Sequence, residues 1–343
     1  MKLKARMIWL TGLLLGSLLL IVLSLSLGAE ALDWGAVWSA LRAGGGASDS
    51  PSIFVLLELR LPRTLAALLA GAGLALAGCA FQVLLRNPLA TPYTLGVASA
   101  SALGAWMSFL LADLGWFVGT YWGVSSKQVM AFLFAAADVI LLYMLASRRT
   151  RTSPAVLLLA GVTLGMLANS GIMLSRFLAE ANRLVTMDRW LMGGVDVTGM
   201  RPVWMLLAGL VPCACILLFQ AGKFDQYGFG ADLAAGRGVN IERLQWVTLL
   251  TASFLTAVIV SVVGPVGFVG LVVPHVTRVF TGPRHHLLLP VSLISGGAFL
   301  CACDIIARLI LPGETPIGIV TTLIGGPFFL YLLLRGRFTD WDG

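Results

Sequence analysis

The sequence predicts an all-α integral membrane protein with about ten transmembrane helices. Three observations carry that prediction. Only 11% of the 343 residues are charged and 58% are apolar, against about 25% charged in an ordinary soluble domain. Mean hydropathy is +0.93. The apolar residues also fall into windows of spanning length. A soluble fold would lack the charge to cover its surface, and disorder is excluded by the high apolar content.

The windows can be taken in order. Met1 to Arg6 is basic and precedes an apolar run over 7–27. Ala29-Glu30-Ala31 resembles a signal-peptidase site. However, a signal core is about 7–15 residues long, so the run is expected to stay as an uncleaved first span. Further spans are expected at 61–84, 94–114, 128–146, 154–177, 203–221, 244–263, 287–310 and 316–334. The stretch 264–286 is apolar but carries Gly264, Pro265, Gly267, Gly270 and Pro274. Proline removes a backbone donor and clashes with the preceding turn. A turn and a short helix over roughly 272–282 are therefore expected, as the tenth helix. The whole chain, 1–343, reads as one transmembrane domain, without internal repeats.

Charge sets the topology. With the N-terminus inside and alternating spans, the inner segments hold 14 of the 23 basic residues and 5 of the 16 acids. The positive-inside rule then puts both termini in the cytoplasm. The net charge of +7 forms no continuous stripe, so nucleic acid is not an expected partner. Two hydrophilic segments exceed a tight turn. The outer one, 178–202, contains Trp190, Gly193, Gly194 and Asp196 and reads as a short surface helix with turns. The inner one, 222–243, has a helix-favouring Ala231–Ala235 stretch ended by Gly236 and Gly238. It suits either docking of a soluble partner or a plain connection.

Catalytic chemistry is missing. No G-x-x-x-x-G-K-[ST], H-E-x-x-H or G-x-S-x-G occurs, so the chain has no phosphate-cradling loop of its own. Cys79, Cys213, Cys215, Cys301 and Cys303 lie in apolar stretches, without partners at zinc-site spacing, and read as small buried residues. His275, His285 and His286 are the only histidines. The adjacent pair, at a membrane edge, reads as surface or interfacial, with no metal site. Asp138 stands alone within the fourth span. A buried hydrogen bond accounts for it, and an ion-coupled secondary transporter using Asp138 is the alternative class. That alternative would need more intramembrane ionisable groups and an inverted repeat. Glycines cluster within spans, as at Gly71, Gly73 and Gly78, and at Gly161 and Gly165. They serve close helix packing or a smooth path.

Residues 58–105 read ELRLPRTLAALLAGAGLALAGCAFQVLLRNPLATPYTLGVASASALGA. This run resembles the signature of the FecCD-type permeases, the membrane subunits of binding-protein-dependent importers for iron chelates, haem and cobalamin. Its R-x-P-R, G-x-x-L-A-x-x-G, Q-x-x-x-R-N-P-L-A-x-P and L-G-x-x-x-A elements are all present. Later runs match as well: RWLMGG at 189–194, GPVGFVGLVVPHVTRVFTG at 264–282, LLPVSLISGGAFLCACDIIAR at 288–308 and ETPIGIVTTLIGGPFFLYLL at 314–333. The likeness spans about 55 to 335.

The resemblance implies a type II ABC importer permease fold in the bacterial inner membrane, with the substrate path between two permease subunits, most simply a homodimer. It implies two ATP-binding subunits beneath, which hold ATP and Mg so that this chain carries no cofactor. A periplasmic substrate-binding protein would dock above. A ferric siderophore is the expected cargo, with haem and cobalamin next. Carried onto matching positions, Arg60, Arg63 and Arg308 would face acids of the binding protein. Headgroup contact, or pairing with Glu58 or Glu314, is the plainer alternative for them. Asp232, Leu233, Ala235, Gly236 and Val239 would form the coupling helix against the ATPase. Asn87 and Leu89, with Thr152 and Ser153, match the loops of the cytoplasmic gate, although loop and capping roles would also explain them. Thr163, Met166, Asn169, Met173, Thr321 and Thr322 are candidates for the path, alongside membrane lipid.

Overall fold

The computed structural model describes residues 3–28, 32–42, 51–113, 119–121, 124–147, 154–179, 181–309 and 315–334. The chain is a helical membrane bundle. Its apolar helices are α1 (Leu3–Ser26), α4 (Leu61–Leu84), α5 (Val97–Asp113), α6 (Ser126–Ser147), α7 (Pro154–Leu178), α9 (Arg201–Phe219), α12 (Ile241–Val263), α13 (Val269–Thr281), α14 (His285–Leu309) and α15 (Ile317–Leu334). Seven of the described helices are long and apolar enough to span, and three shorter apolar helices join them. Together they make the ten that the sequence predicts. Short surface helices fill the connections: α2 (Trp34–Arg42), α3 (Pro51–Phe54), α8 (Ala181–Leu191), α10 (Ala221–Gly228) and α11 (Ala231–Gly236). A two-residue β-hairpin pairs Thr120 with Ser125 and Tyr121 with Val124.

The second span starts earlier than its apolar window. The helix runs from α3 through a π-helical segment, Val55–Arg60, directly into α4. Pro62 follows just after that segment, inside the continuous helix, where its missing N–H and its ring would disturb a regular α-helical turn. The wider π-turn accommodates that entry.

Composition decides which helix is central. From Ala70 to Leu84, α4 is buried without a break. Its Ala/Gly-rich sequence lets backbones approach, which is how helices gain contact in lipid. A Cβ on Gly71 would overlap the Gly296 carbonyl of α14, and one on Gly296 would overlap that of Gly71. By contrast α1, α7 and α15 carry large apolar residues that stay exposed, among them Leu18, Leu167 and Leu330. These three helices lie at the rim.

The stretch 264–268 is the expected turn. Gly264 adopts φ +69°, and Phe268 is held left-handed at φ +66° before α13 begins. The short helix starts at Val269, slightly ahead of the predicted 272. Two readings need correction. His285 is buried, not interfacial, because Asp225 of α10 offers it an acceptor; His286 beside it is exposed. Cys215 is exposed while the other four cysteines are buried, and all five are free thiols. The helical turn rotates Cys215 to the opposite side from Cys213. No cluster of three His, Cys, Asp or Glu that could hold a metal occurs among the described residues.

Candidate functional site

Three regions gather the residues singled out in the sequence. The first lies where the start of α4 meets the end of α14. Asp304 is completely buried, and a buried carboxylate needs opposite charge close by. Arg63 Nε donates to Asp304 Oδ1 at 3.0 Å. Arg308 Nε lies 2.9 Å from Oδ2. Its N–H is directed at the Asp304 carbonyl, 3.4 Å away, so this second contact is Coulombic rather than a hydrogen bond. Arg60 Nη1 donates to the carbonyls of Leu25 at 3.1 Å and Ser26 at 2.8 Å. Arg308 Nη2 donates to Ser24 Oγ at 2.8 Å. The last turn of α1 leaves carbonyls unsatisfied at its negative dipole end, and two arginines fill that role.

The expectation of three outward arginines is therefore corrected. Arg60 is buried, and the Arg308 side chain is only 8% exposed. Arg63 is held nearest the rim, where Nη1 lies 3.6 Å from the exposed Asp196. Arg189 reaches the same carboxylate at 4.0 Å. Arg63 and Arg308 take Asp304 in place of the alternative partner Glu58, while Glu314 lies outside the described residues. Asp304 is the partner that the sequence reading missed. A signal was present: an acid inside the apolar run CACDIIAR, one helical turn before Arg308.

The second region lies at the opposite end of the bundle, after α9. The α11 helix ends in a Schellman arrangement. Val239 N–H donates to Ala234 O at 3.0 Å and Gly238 N–H to Ala235 O at 2.9 Å, with Gly238 at φ +84°. Asn240 then caps α12 by accepting from Arg243 N–H at 2.9 Å. Ala234 is buried and anchors α11, while Asp232, Leu233, Ala235 and Gly236 are exposed. Val239 is buried, so it supports the presented surface rather than forming it.

The α10 helix beneath is fastened to three spans. Asp225 Oδ1 accepts from the His285 backbone N–H and pairs with its ring Nδ1, both at 2.7 Å. Arg86, at φ +46°, donates to Tyr227 O at 3.1 Å and stacks 4.4 Å above the Tyr227 ring. Tyr227 Oη accepts from Gln245 Nε2 at 3.0 Å. Helices α14, α4 and α12 thus share one clasp on the segment that carries α11. Beside it, Asn87 Oδ1 accepts from Leu89 N–H at 2.9 Å, and the Leu89 side chain is exposed. Thr152 and Ser153 lie outside the described residues.

The third region is the free face of α7 with α15. Thr163, Met166, Asn169 and Met173 are all exposed on one side of α7. Thr163 Oγ1 satisfies itself on Leu159 O at 2.8 Å. Thr322 is exposed on α15, but Thr321 is fully buried and bonds Gly318 O at 3.1 Å. Adjacent helix positions point about 100° apart, so Thr321 leaves the candidate path. Asp138 is buried against the Leu95–Gly96 turn, which also rests on Gly161 of α7. Its Oδ2 has no hydrogen-bond partner among the described residues.

The profile of the FecCD transport family matches residues 14–335. The chain belongs to the FecCD transport family. It is 36% identical over 325 residues to the Fe(3+)-citrate import system permease protein YfmE of Bacillus subtilis, across 92% of this chain and 91% of that one. It is also 36% identical over 327 residues to the vitamin B12 import system permease protein BtuC of Vibrio cholerae, across 94% of both chains. The fold superimposes with a TM-score of 0.81 and 28% identity on a structure described as an inward-facing conformation of a metal-chelate type ABC transporter, covering 95% and 98% of the two chains. The FecCD chain therefore has the ABC importer permease fold, and its relatives are permease subunits rather than ATPases. In this FecCD permease Asp138 is one of two aspartates buried in the bundle, with Asp304, and the family match and the ABC permease fold displace the secondary-transporter alternative.

Proposed function

We propose that the protein is the transmembrane subunit of a binding-protein-dependent importer that moves an iron chelate across the bacterial inner membrane. Ferric siderophore is the favoured cargo, with haem and cobalamin next. Two copies would pair through the exposed α7 and α15 faces, placing Thr163, Met166, Asn169, Met173 and Thr322 along the path. Two ATP-binding subunits would seat α11 in their clefts, and both termini would lie in the cytoplasm.

The observation that carries this reading is the clasped α10–α11 unit. It offers an exposed Leu233 on a base held by Asp225, Arg86 and Tyr227. A protein that couples to an ATPase needs a rigid lever, and the switch between discrete packings is then driven through one contact. Release of cargo would follow docking of the binding protein near Arg63 and Asp196, with Leu89 closing the inner exit. No covalent step falls to this chain.

The test is reconstitution. The permease, purified from its native membrane with whatever ATPase subunits accompany it, is placed in liposomes with the cognate binding protein. ATP-dependent uptake is then compared for radiolabelled ferric siderophore, haem and cobalamin. Uptake independent of ATP, or absence of an ATPase subunit from the purified complex, would refute the reading.

A further inference from the structure

The inner junction of α9 and α12 holds a cavity beside the coupling segment, whose Gly238 and Val239 form part of its wall. It measures about 690 Å³ and lies between Phe219, the last residue of α9, and the opening turns of α12. Lys223, Arg237 and Arg243 line it, and no acid does. All three cations are exposed and unpaired with acids among the described residues. The neighbouring acids do not neutralise them. Asp225 is engaged with His285, while Asp232 and Glu242 point to solvent.

Two glutamines complete the polar lining. Gln220 Nε2 and Gln226 Oε1 are buried and make no hydrogen bond, and both residues line the cavity. Gln220 itself is only 7% exposed. Three cations with no acid among the lining residues point to an anionic, acceptor-rich ligand.

An apolar space adjoins the cavity at Ile216. This second cleft, of about 430 Å³, runs up between α6, α9 and α12, lined by Val139, Ile140, Leu250 and Phe254. Ile216 lines both spaces. The cations thus lie just past the end of the apolar span, at headgroup depth, and the cleft lies at hydrocarbon depth. A soluble phosphate would use the first space and ignore the second.

We propose that this composite cavity binds an anionic phospholipid. Lys223, Arg237, Arg243 and Gln220 would hold the headgroup phosphate, and the cleft beyond Ile216 would take an acyl chain. Basic pockets between spanning helices on the cytoplasmic side are suited to such headgroups. The site adjoins α11, so its occupant would brace the junction from which the coupling segment projects.

Native mass spectrometry of the delipidated full-length chain tests this. Phosphatidylglycerol and phosphatidylcholine with identical chains are titrated separately. The expected result is tighter binding of phosphatidylglycerol, by at least ~10-fold. The combined change Lys223→Gln, Arg237→Gln and Arg243→Gln should weaken it by about 100-fold. Ile216→Trp, which blocks the cleft and leaves every charge, should also weaken it, and Lys223→Arg should not. Equal affinity for the two lipids, or unchanged binding in both the triple variant and Ile216→Trp, would overturn the proposal. Displacement of the lipid by equimolar inorganic phosphate would reassign the cavity to a soluble anion. Loss of the lipid from the transporter assembled with its ATPase subunits would make the cavity a protein interface instead.

Discussion

Arg63 Nε donates to Asp304 Oδ1 at 3.0 Å, joining α4 to α14 across 241 positions of sequence. Asp304 is fully buried, and Arg308 lies on its other oxygen. This pair holds facing ends of the two most closely packed helices together, while the Gly71–Gly296 contact joins them further along their length.

Asp304→Ala should therefore destabilise strongly. Removing one partner of a buried ion pair costs on the order of 3–5 kcal/mol, because charge is left uncompensated. The thermal midpoint in detergent should fall clearly. The double change Asp304→Leu with Arg63→Met should recover part of that loss, since apolar replacement of both partners is often tolerated. An unshifted midpoint in Asp304→Ala would contradict the network.

The rim beside this pair predicts opposite effects of two charge changes on docking. Arg189→Glu, which leaves the Arg63–Asp304 pair untouched, should weaken capture of the cognate binding protein. Asp196→Asn should strengthen it by roughly 3-fold or more, because Arg63 and Arg189 lose their local carboxylate. Rim charges act chiefly on association rate and are screened by salt. Surface plasmon resonance at two ionic strengths measures both, and the parent's kinetics in both variants would remove docking from this rim.

Coupling can be separated from folding at Gly236. A Cβ there meets nothing within 4 Å, so Gly236→Ala should leave fold and transport intact. Gly236→Trp should fold but cut ATP-driven uptake by about 10-fold or more, since bulk at a tightly packed interface centre excludes the partner. Leu233→Asp should act likewise. Proteoliposome uptake alongside ATPase rate reads the outcome, and full uptake with Gly236→Trp would remove α11 from the coupling contact.

The α4–α14 contact has its own test. Gly71→Val places methyl groups where the Gly296 carbonyl lies, and overpacking of this kind costs at least 1–3 kcal/mol. Little folded protein should reach the membrane fraction, as judged by fluorescence-detected size exclusion. Gly267→Ala, where a Cβ meets nothing within 4 Å, serves as the control and should behave as the parent. Equal yields from the two would show that α4 and α14 can separate without penalty.

Much of this protein is written along the chain. Apolar windows located nine of the ten helices, eight of them to within a few residues, because lipid forces each crossing segment to satisfy its own backbone. The second span's helix begins at Pro51, ten residues ahead of its window, and the tenth was read from its glycines and prolines. Gly264 and Pro265 announced the turn before α13, and Gly236 and Gly238 announced the end of α11. The motif runs around Arg60 to Leu95 and Gly264 to Gly282 carried the family. These features depend on residue type and spacing alone.

Which side chains face one another was decided only by packing. Arg60, Arg63 and Arg308 looked outward in sequence, yet Asp304 and the end of α1 hold them inward. His285 looked interfacial, yet Asp225, from a helix 60 residues earlier, buries it. Thr321 and Val239 shared motifs with exposed neighbours and were turned away by helical rotation. A buried charge takes its partner from whatever helix lies beside it, and the order of helices in space is not a local property of sequence. The chain by itself determined that the protein crosses the membrane, where it crosses and to which family it belongs. The tertiary structure decided which of its few charges stay within the bundle and which remain for other molecules, because in a low-dielectric interior each charge must be paired before it can be spared.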